Sequence, residues 1–390
     1  MTPVYLDYAA TTPVDERVLA VMMPYFSQRF GNPSSLYSFG REARRAVAAA
    51  RQQVALLLGA EPSEIFFTSG GSESDNWGIK GMAFALRRAG KGNHIITSCI
   101  EHHAVLHACQ WLEEQGFAVT YLPVDGDGRV MPEQVRDALR EDTVLVSLMT
   151  ANNEVGTIEP IAEIGQILQE RSIFFHTDAV QAAGHIPLAV NELHVDALSL
   201  SGHKFYGPKG IGALYLRRGF LPDAWIHGGG QENGMRAGTE NTAAIVGLGK
   251  AAEFARQELP EEWKRLSSLR DWLLKELETI AGITVHGARQ YRLPGNVNFS
   301  VRGIGQDTML IRLDMAGFAV SAGSACSAGS LEPSHVLTAM GLPAEEASSA
   351  LRVTLGRFTE KKDLVHFIHT LKEVIVNIKI QTKHKILQEV

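Results

Sequence analysis

The sequence has few cysteines, no long apolar run and no excess of positive charge. Its only cysteines are Cys99, Cys109 and Cys326, an odd and sparse set that argues against a disulfide framework and favours reduced thiols. No stretch approaches the ~20 apolar residues of a membrane span, and the first residues lack the basic and apolar regions of a signal peptide. The net charge of -6 argues against a surface that neutralises nucleic-acid phosphates. We therefore expect a cytoplasmic protein without a membrane partner or direct nucleic-acid partner.

The chain is long enough, at 390 residues with 45% hydrophobic residues, to bury a large core in two or three domains. Between residues 64 and 216, short apolar runs rich in β-formers alternate with segments of helical period. This pattern predicts an α/β fold with a mainly parallel sheet covered on both faces, and ligands at the carboxyl ends of its strands. The predicted strands are EIFFTS, NHIITS, FAVTYL, TVLVSLM, SIFFHTD, VDALSLS and GIGALYL.

A change of pattern after Asn241 predicts a second, smaller α+β domain. A helix over residues 41–58, ending at Gly59, leads into the sheet domain. Two helices, 242–257 and 261–280, and short strands near 283–286, 297–301 and 351–355 follow it. We predict a large domain over residues 15–255 and a small domain formed by residues 1–14 and 256–390. The basic, polar tail at 377–384 is either a solvated end or a docking segment.

The run FTSGGSESD at residues 67–75 closes a strand and opens a helix. Its glycines let the backbone approach a ligand, and the first N–H groups of the helix suit a phosphate. The alternative is structural, because Ser72 and Asp75 have the spacing of a helix capping box. On this run alone, both interpretations stay open.

Asp178 stands where the apolar strand SIFFHTD ends. A buried carboxylate requires a partner, and a protonated pyridine nitrogen of a cofactor would be one. An aspartate that merely caps a helix is the simpler interpretation of this residue in isolation.

Lys204 lies in the polar, glycine-rich turn SGHKFYGPKG after another strand. A lysine at a strand end can form an imine, although most lysines are solvated surface charges. The neighbouring motifs favour the imine, since Ser201, His203 and the loop at Ser72 supply anion donors. Asp178 supplies a counter-charge for the other end of a small flat ligand.

Two further groups contain the cysteines. Residues 99–109 combine Cys99, Cys109 and three histidines, but their spacing matches no standard zinc motif, and we predict no metal site. A histidine just after the strand NHIITS is also placed to stack on a flat cofactor. Cys326 is surrounded by nine small residues in SAGSACSAGS, which leaves its thiol accessible for nucleophilic attack. A flexible loop with an incidental thiol is the alternative.

Ten ordered motifs resemble those of the NifS/IscS-type cysteine desulfurases, which are fold-type-I pyridoxal-phosphate enzymes. The resemblance spans nearly the whole chain. It implies a homodimeric α/β enzyme that converts L-cysteine to L-alanine. The motifs are YLDYAATTPVD, FGNPSSLYSFG, FTSGGSESDN, EHHAVL, NNEVGTIEP, HTDAVQAAG, SLSGHKFYGPKG, GGGQENGMRAGTEN, SAGSACSAGSLEPSHVL and LRVTLGR.

The resemblance also implies a role for individual residues. Lys204 would hold pyridoxal 5'-phosphate and move the substrate α-proton, Cys326 would accept the sulfur as a persulfide, and His102 would stack on the ring and move the thiol proton. The resemblance further implies that Asn32, Asn153 and Arg352 hold the substrate, with Arg352 as a fork for its carboxylate. The expected cofactor contacts are Gly71, Ser72, His102, Asn153, Asp178, Gln181, Ser201, His203, Lys204 and, from a second subunit, Thr239.

The sulfur would pass to an acceptor protein, either an iron–sulfur scaffold or a tRNA-thiolating enzyme. Two alternatives remain at this stage. A selenocysteine lyase or another β-lyase would depend less on Cys326. A non-catalytic sulfur-relay scaffold would bind no pyridoxal phosphate and would hold zinc at the Cys99–Cys109 cluster.

Overall fold

The computed structural model of the chain describes residues 3–322 and 333–389. Its largest element is a seven-stranded sheet in the order β2-β8-β7-β6-β5-β3-β4. Only β8 runs antiparallel to its neighbours, so the strands on either side of it point the same way. All seven predicted strands are confirmed: β2 (Ile65–Thr68), β3 (His94–Ser98), β4 (Ala118–Leu122), β5 (Thr143–Ser147), β6 (Phe174–Asp178), β7 (Ala197–Ser201) and β8 (Gly212–Leu216).

Helices cover both faces of this sheet, because strands with buried side chains on both sides need apolar cover. The predicted helix before the sheet is confirmed and ends at Gly59, whose φ of 64° suits a residue without Cβ. The helices of this part are α1 (Glu16–Met22), α2 (Pro24–Ser27), α3 (Ser38–Leu58), α4 (Gly71–Asn76), α5 (Met82–Arg88), α6 (His103–Glu114), α7 (Pro132–Ala138) and α8 (Ile161–Glu170). Short helical turns lie at Pro62–Glu64, Trp77–Gly81, Gly202–Lys204 and Gln231–Gly234.

A single helix, α9 (Thr242–Glu278), replaces the two helices predicted from the sequence. The prediction was wrong because proline usually breaks a helix, and Pro260 lies inside this one. Tertiary packing overrides that local preference. The first half of α9 buries Leu248 and Ala252 in the core under the sheet, and the second half buries Leu273 and Leu277 in a separate core.

That separate core belongs to a four-stranded sheet in the order β12-β13-β10-β9. The three strands predicted in this part are confirmed. The strands are β9 (Ile283–His286), β10 (Asn296–Val301), β12 (Ser321–Ala322) and β13 (Ala350–Thr354), and β1 (Val4–Tyr5) pairs with β11 (Phe318–Ala319). The helices are α10 (Gln306–Met315), α11 (His335–Ala339), α12 (Ala344–Ala347) and α13 (Lys361–Glu389), which includes the tail at 377–384.

The two cores agree with two domains that share α9. Ala255 packs in the first core and Leu266 in the second. The division into a large domain over 15–255 and a small domain formed by 1–14 and 256–390 remains our proposal. Within the part of the chain that the structure describes, no helix combines the length and apolar character needed to cross a membrane.

Candidate active site

A cavity of about 400 Å³ opens at the carboxyl ends of the sheet strands. Parallel strands end at one edge, so the segments after β2, β3, β5, β6 and β7 meet there. Ten of the predicted site residues line this cavity. Its lining consists of Ala9, Ala10, Gly71, Ser72, Asp75, His102, Met149, Ala151, Asn153, Asp178, Val180, Gln181, Ser201, His203, Lys204 and Arg352.

Lys204 is held by the N-terminal segment of the chain. Its Nζ donates hydrogen bonds to the carbonyl oxygens of Ala9 at 2.5 Å and Ala10 at 2.9 Å. Gln181 Nε2 also donates to the Ala9 carbonyl, at 3.0 Å. Sequence reasoning assigned no role to Ala9 or Ala10, because a backbone carbonyl leaves no signature in the side-chain pattern.

Asp178 ends β6 with only 6% of its surface exposed. Its Oδ1 accepts a hydrogen bond from the N–H of Val180 at 2.9 Å. The simpler interpretation of Asp178 as a helix cap is therefore half right, since the cap-like bond forms but a turn follows instead of a helix. Burial raises the pKa of Asp178, while the Val180 N–H and the Lys204 ammonium act in the opposite direction.

The capping-box alternative for Ser72 and Asp75 is wrong. Helix α4 begins at Gly71 with Gly70 as its N-cap, and no side chain caps it. Asp75 instead lies buried in the cavity lining, 1% exposed. Sequence reasoning missed Asp75 as a cavity residue because the capping pattern explained its position equally well.

One part of the cavity gathers donors that suit a phosphate. Ser201 lies at the end of β7, and Gly71 begins α4, whose first N–H groups have no acceptor within the helix. A Cβ on Gly71 would come 2.5 Å from Val180 Cγ2, so this close packing requires glycine. His203 Nδ1 hydrogen-bonds with Thr11 Oγ1 at 3.1 Å, and burial, assisted by the Lys204 charge, lowers the pKa of His203 to about 4.

His102 caps the N-terminus of α6 with its own ring. Its Nδ1 accepts the Ala104 N–H at 3.1 Å, so the neutral ring carries its proton on Nε2. Burial lowers the pKa of His102 to about 4, and the Lys204 charge and the neighbouring histidines add to this effect. Next to it, the His103 ring contacts the rings of His107 and His335, with ring centroids 5.1 and 4.8 Å away.

Arg352 brings a buried cation to the cavity from β13, in the second sheet. Its Nη2 forms an ion pair with Asp7 Oδ1 at 2.9 Å, and its Nη1 donates to the carbonyl oxygen of Asn153 at 3.0 Å. Asp7 is a second residue that sequence reasoning missed. Its place in the motif YLDYAATTPVD was noted, but pairing across 345 residues has no local sequence signal.

Two of the predicted residues that the structure describes are not brought to this cavity. Asn32 is exposed in the loop after α2, where its Oδ1 accepts the Ser34 N–H at 2.9 Å. Within a single chain, Asn32 therefore does not lie beside Arg352 in the cavity, as a substrate-binding role would require. Thr239 is exposed and lines a separate cavity of about 190 Å³. Cys326 lies outside the described residues.

The Cys99–Cys109 cluster shows no metal-binding geometry. Among the residues that the structure describes, the only three metal-ligand side chains whose ligand atoms lie within 4.8 Å of one another are Asp75, His102 and Asp178. Cys109 packs in an apolar core, and burial raises the pKa of its thiol to about 12. That thiol is chemically inert at neutral pH.

The cavity fits pyridoxal phosphate. It combines an amine at Lys204, a buried carboxylate at Asp178 for a protonated ring nitrogen, and the phosphate donors near Ser201. Asp75 Oδ1, a buried oxygen with no hydrogen-bond partner among the described residues, lies in the same lining.

Comparison with known proteins agrees with this geometry. The family model for class-V aminotransferases matches residues 4–367. The cysteine desulfurase IscS of Dictyoglomus turgidum is 53% identical over 383 residues, covering 98% of this chain and 97% of its own length. The IscS of Clostridium botulinum strain Hall is 54% identical over 375 residues, which cover 95% and 94% of the two chains.

The chain belongs to the cysteine desulfurases of the class-V aminotransferase family.

Solved structures show the same relationship. A NifS-like protein superposes with a TM-score of 0.90 at 39% identity, covering 96% of this chain and all of that one. A structure described as SspA in complex with cysteine gives a TM-score of 0.79 at 42% identity, covering 90% of this chain and 98% of the other. The predicted fold class is confirmed, and the enzyme depends on pyridoxal phosphate as this family does. None of these relatives is named a selenocysteine lyase or a non-catalytic scaffold.

Proposed function

We propose that this desulfurase releases sulfur from L-cysteine, forms L-alanine, and carries the sulfur as a persulfide on Cys326. One observation supports this most directly. Lys204, Asp178 and Arg352 line a single cavity, and the described residues that flank Cys326 end beside it. Pyridoxal-phosphate chemistry on an amino acid requires an amine, an acidic partner for the cofactor's ring nitrogen and a guanidinium that binds the substrate carboxylate.

Pyridoxal phosphate supplies the electron sink for the carbanion formed at the substrate Cα. Lys204 would hold the cofactor through Nζ, and the same amine would take the substrate α-proton. The Ala9 and Ala10 carbonyls that accept from Nζ keep the amine directed into the cavity. Asp178 would be the partner of a protonated ring nitrogen, because burial leaves a carboxylate in need of a cationic partner.

Arg352 binds the substrate carboxylate. A guanidinium has five N–H donors in a planar fork, so it can hold a carboxylate while it keeps contacts to protein oxygens. The Asp7 and Asn153 contacts fix the plane of this fork before the substrate arrives. Substrate orientation is therefore set by a preformed group.

Cys326 accepts the sulfur. Its thiolate attacks the substrate sulfur, an S–S bond forms, and the substrate C–S bond breaks with its electron pair passing to the carbon skeleton that leaves as alanine. Ser321 pairs with Arg352, and Cys326 follows Ala322 by four residues, a reach of at most ~14 Å. On the other side of the segment, Ser334 Oγ donates to Glu154 Oε2 at 2.5 Å.

His102 has a restricted part in the proton transfers. In its neutral form it presents a proton at Nε2, so it first acts as a donor in the cavity. To take the Cys326 thiol proton, the ring must turn or Nδ1 must release the Ala104 N–H. Until then, Nε2 serves only as a hydrogen-bond donor in the cavity.

We further propose a cytoplasmic homodimer that delivers sulfur to an iron–sulfur scaffold or a tRNA-thiolating enzyme. The name IscS of its relatives supports the iron–sulfur route. Exposed Thr239 would reach the phosphate site of the partner subunit. A row of large apolar side chains exposed between residues 26 and 39 supports association: Phe26, Phe30, Leu36, Tyr37 and Phe39. Sedimentation should give about twice the chain mass of 42.5 kDa.

Replacing Cys326 tests the persulfide route. We expect Cys326→Ser to keep the visible absorbance of bound cofactor but to lose alanine formation from cysteine by about 100-fold or more. Protein-bound label after treatment with ³⁵S-cysteine should also be lost. Cys99→Ser, which changes a half-buried thiol, is the matched control and should keep both. Wild-type alanine formation by Cys326→Ser would show that the persulfide route is wrong.

A further inference from the structure

Asp75 is a buried acid for which the proposed mechanism has no role. It is 1% exposed, lines the cavity, and its Oδ1 has no hydrogen-bond partner among the residues described. One oxygen of Asp75, one oxygen of Asp178 and one ring nitrogen of His102 lie within 4.8 Å of one another. Two carboxyl groups therefore share the floor of the cavity.

Across the described ranges, no ion pair with a charged base compensates a charge on Asp75. One histidine, His176, is close enough to form an ion pair if it were protonated: its Nε2 lies 3.7 Å from Asp75 Oδ1. Both ring nitrogens of His176 already bond to serines, Nδ1 to Ser147 Oγ at 2.8 Å and Nε2 to Ser199 Oγ at 2.9 Å. Burial lowers the pKa of His176 to about 3, so the ring is neutral.

The other titratable groups around Asp75 also disfavour its ionisation. Asp178 and Glu101 are acids whose negative charges would repel an Asp75 carboxylate, and His102 is neutral. The positive charge of Lys204 acts on Asp178. When two carboxyl groups lie this close in a dry site, one keeps its proton.

We propose that Asp75 is a neutral carboxylic acid in the folded enzyme and acts as a positioning residue that leaves Asp178 as the ionised member of the pair. Burial, together with the charges of Asp178 and Glu101, raises the pKa of Asp75 well above its usual range and outweighs the opposing effect of the Ser199 hydroxyl. The proposal deepens the proposed function, since it rests on Asp178 as the partner of the ring nitrogen. A charged Asp75 would compete with Asp178 for that proton.

The proton on Asp75 can be observed without the cofactor. In apoprotein labelled with ¹³C at the aspartate side-chain carboxyl, isotope-edited infrared spectra separate protonated from ionised aspartates, and Glu101 is not labelled. We expect one protonated aspartate to persist at pH 8, where exposed aspartates are ionised. Asp75→Asn should remove this band, because it replaces the acid by an uncharged group of the same shape.

A second variant keeps the test decisive if Asp75→Asn does not fold. In Asp178→Asn apoprotein, the protonated band should persist but disappear at a lower pH, because the repelling charge of Asp178 is gone. In holoenzyme, the pH titration of the cofactor absorbance should move by less than about half a pH unit in Asp75→Asn and by more than one unit in Asp178→Asn.

Two results would overturn the assignment. One is the absence of any protonated aspartate at pH 8 in the wild-type apoprotein. The other is a shift of more than one unit in the cofactor titration of Asp75→Asn, which would show that a charge was removed. Because the infrared measurement involves neither cofactor nor substrate, its outcome is separate from the outcome of the Cys326 experiment.

Discussion

The cavity has two walls, one from the seven-stranded sheet and one from the second sheet, and their buried polar groups differ in how they are compensated. The sheet wall contains Asp75, His102, Asp178 and Lys204, and burial shifts the pKa values of Asp75, His102 and Asp178. The second wall contains Arg352 in a buried ion pair with Asp7. The sheet wall thus presents buried acids to a ligand, whereas the second wall already contains an ion pair before the substrate binds.

This difference separates cofactor retention from substrate recognition. A buried acid gains most from a ligand that brings a positive charge. A fork that is already ion-paired contributes geometry, and it gains only the extra hydrogen bonds of the substrate carboxylate. Changes to the sheet wall should therefore affect cofactor binding, and changes to the second wall should affect the KM for cysteine.

The largest effect should follow loss of the amine in the sheet wall. We expect Lys204→Ala to lose alanine formation by about 10⁴-fold, because the residue both holds the cofactor and moves the α-proton. The visible absorbance should disappear after gel filtration. Lys209→Ala, in the same turn but exposed, is the matched control and should keep both properties. A Lys204→Ala protein that stays equally yellow would contradict the assignment.

A smaller effect should follow a change in the second wall. Arg352→Lys keeps the positive charge but removes the planar fork, and we expect kcat/KM for cysteine to fall by about 100-fold, mostly through KM. The cofactor absorbance should be unchanged. Arg312→Lys, on the surface of α10, should leave both parameters as in the wild type. If Arg352→Lys instead lost the cofactor, the proposed division between the walls would be wrong.

The sheet wall was more readable from the sequence than the second wall. The end of each apolar run in the sequence marks the end of a strand. The residue pattern alone therefore places Asp178, Ser201 and Lys204 at one edge of the sheet. The second wall depends on contacts between distant parts of the chain. Arg352 was identified only through a resemblance, and its partner Asp7 was not identified at all.

The errors in the fold have the same origin. Sequence reasoning divided α9 at Pro260 because local preference opposes proline inside a helix. The helix continues because apolar side chains on either side of Pro260 are buried in two different cores. Likewise, the spacing of Ser72 and Asp75 fits a cap, but tertiary burial gives Asp75 another place.

The smallest of the expected effects is a pH dependence of stability that comes from His102 in the sheet wall. Burial lowers the pKa of His102 from 6.5 to about 4 in the folded chain, so the unfolded chain binds a proton there first as the pH falls. The stability that depends on a neutral His102 is therefore complete above pH 6.5 and is lost between pH 6.5 and 4. We expect this loss to be about 2 kcal/mol for apoprotein, and His102→Gln should lack it.

Urea unfolding of wild-type and His102→Gln apoprotein at pH 7 and pH 4.5 measures this effect as a change in the difference between their unfolding free energies. Contributions from all other groups cancel when the two proteins are compared at each pH. An equal difference between wild type and His102→Gln at both pH values would mean that the ring is not held neutral. The sheet wall would then lack the neutral histidine that distinguishes it from the Arg352 wall.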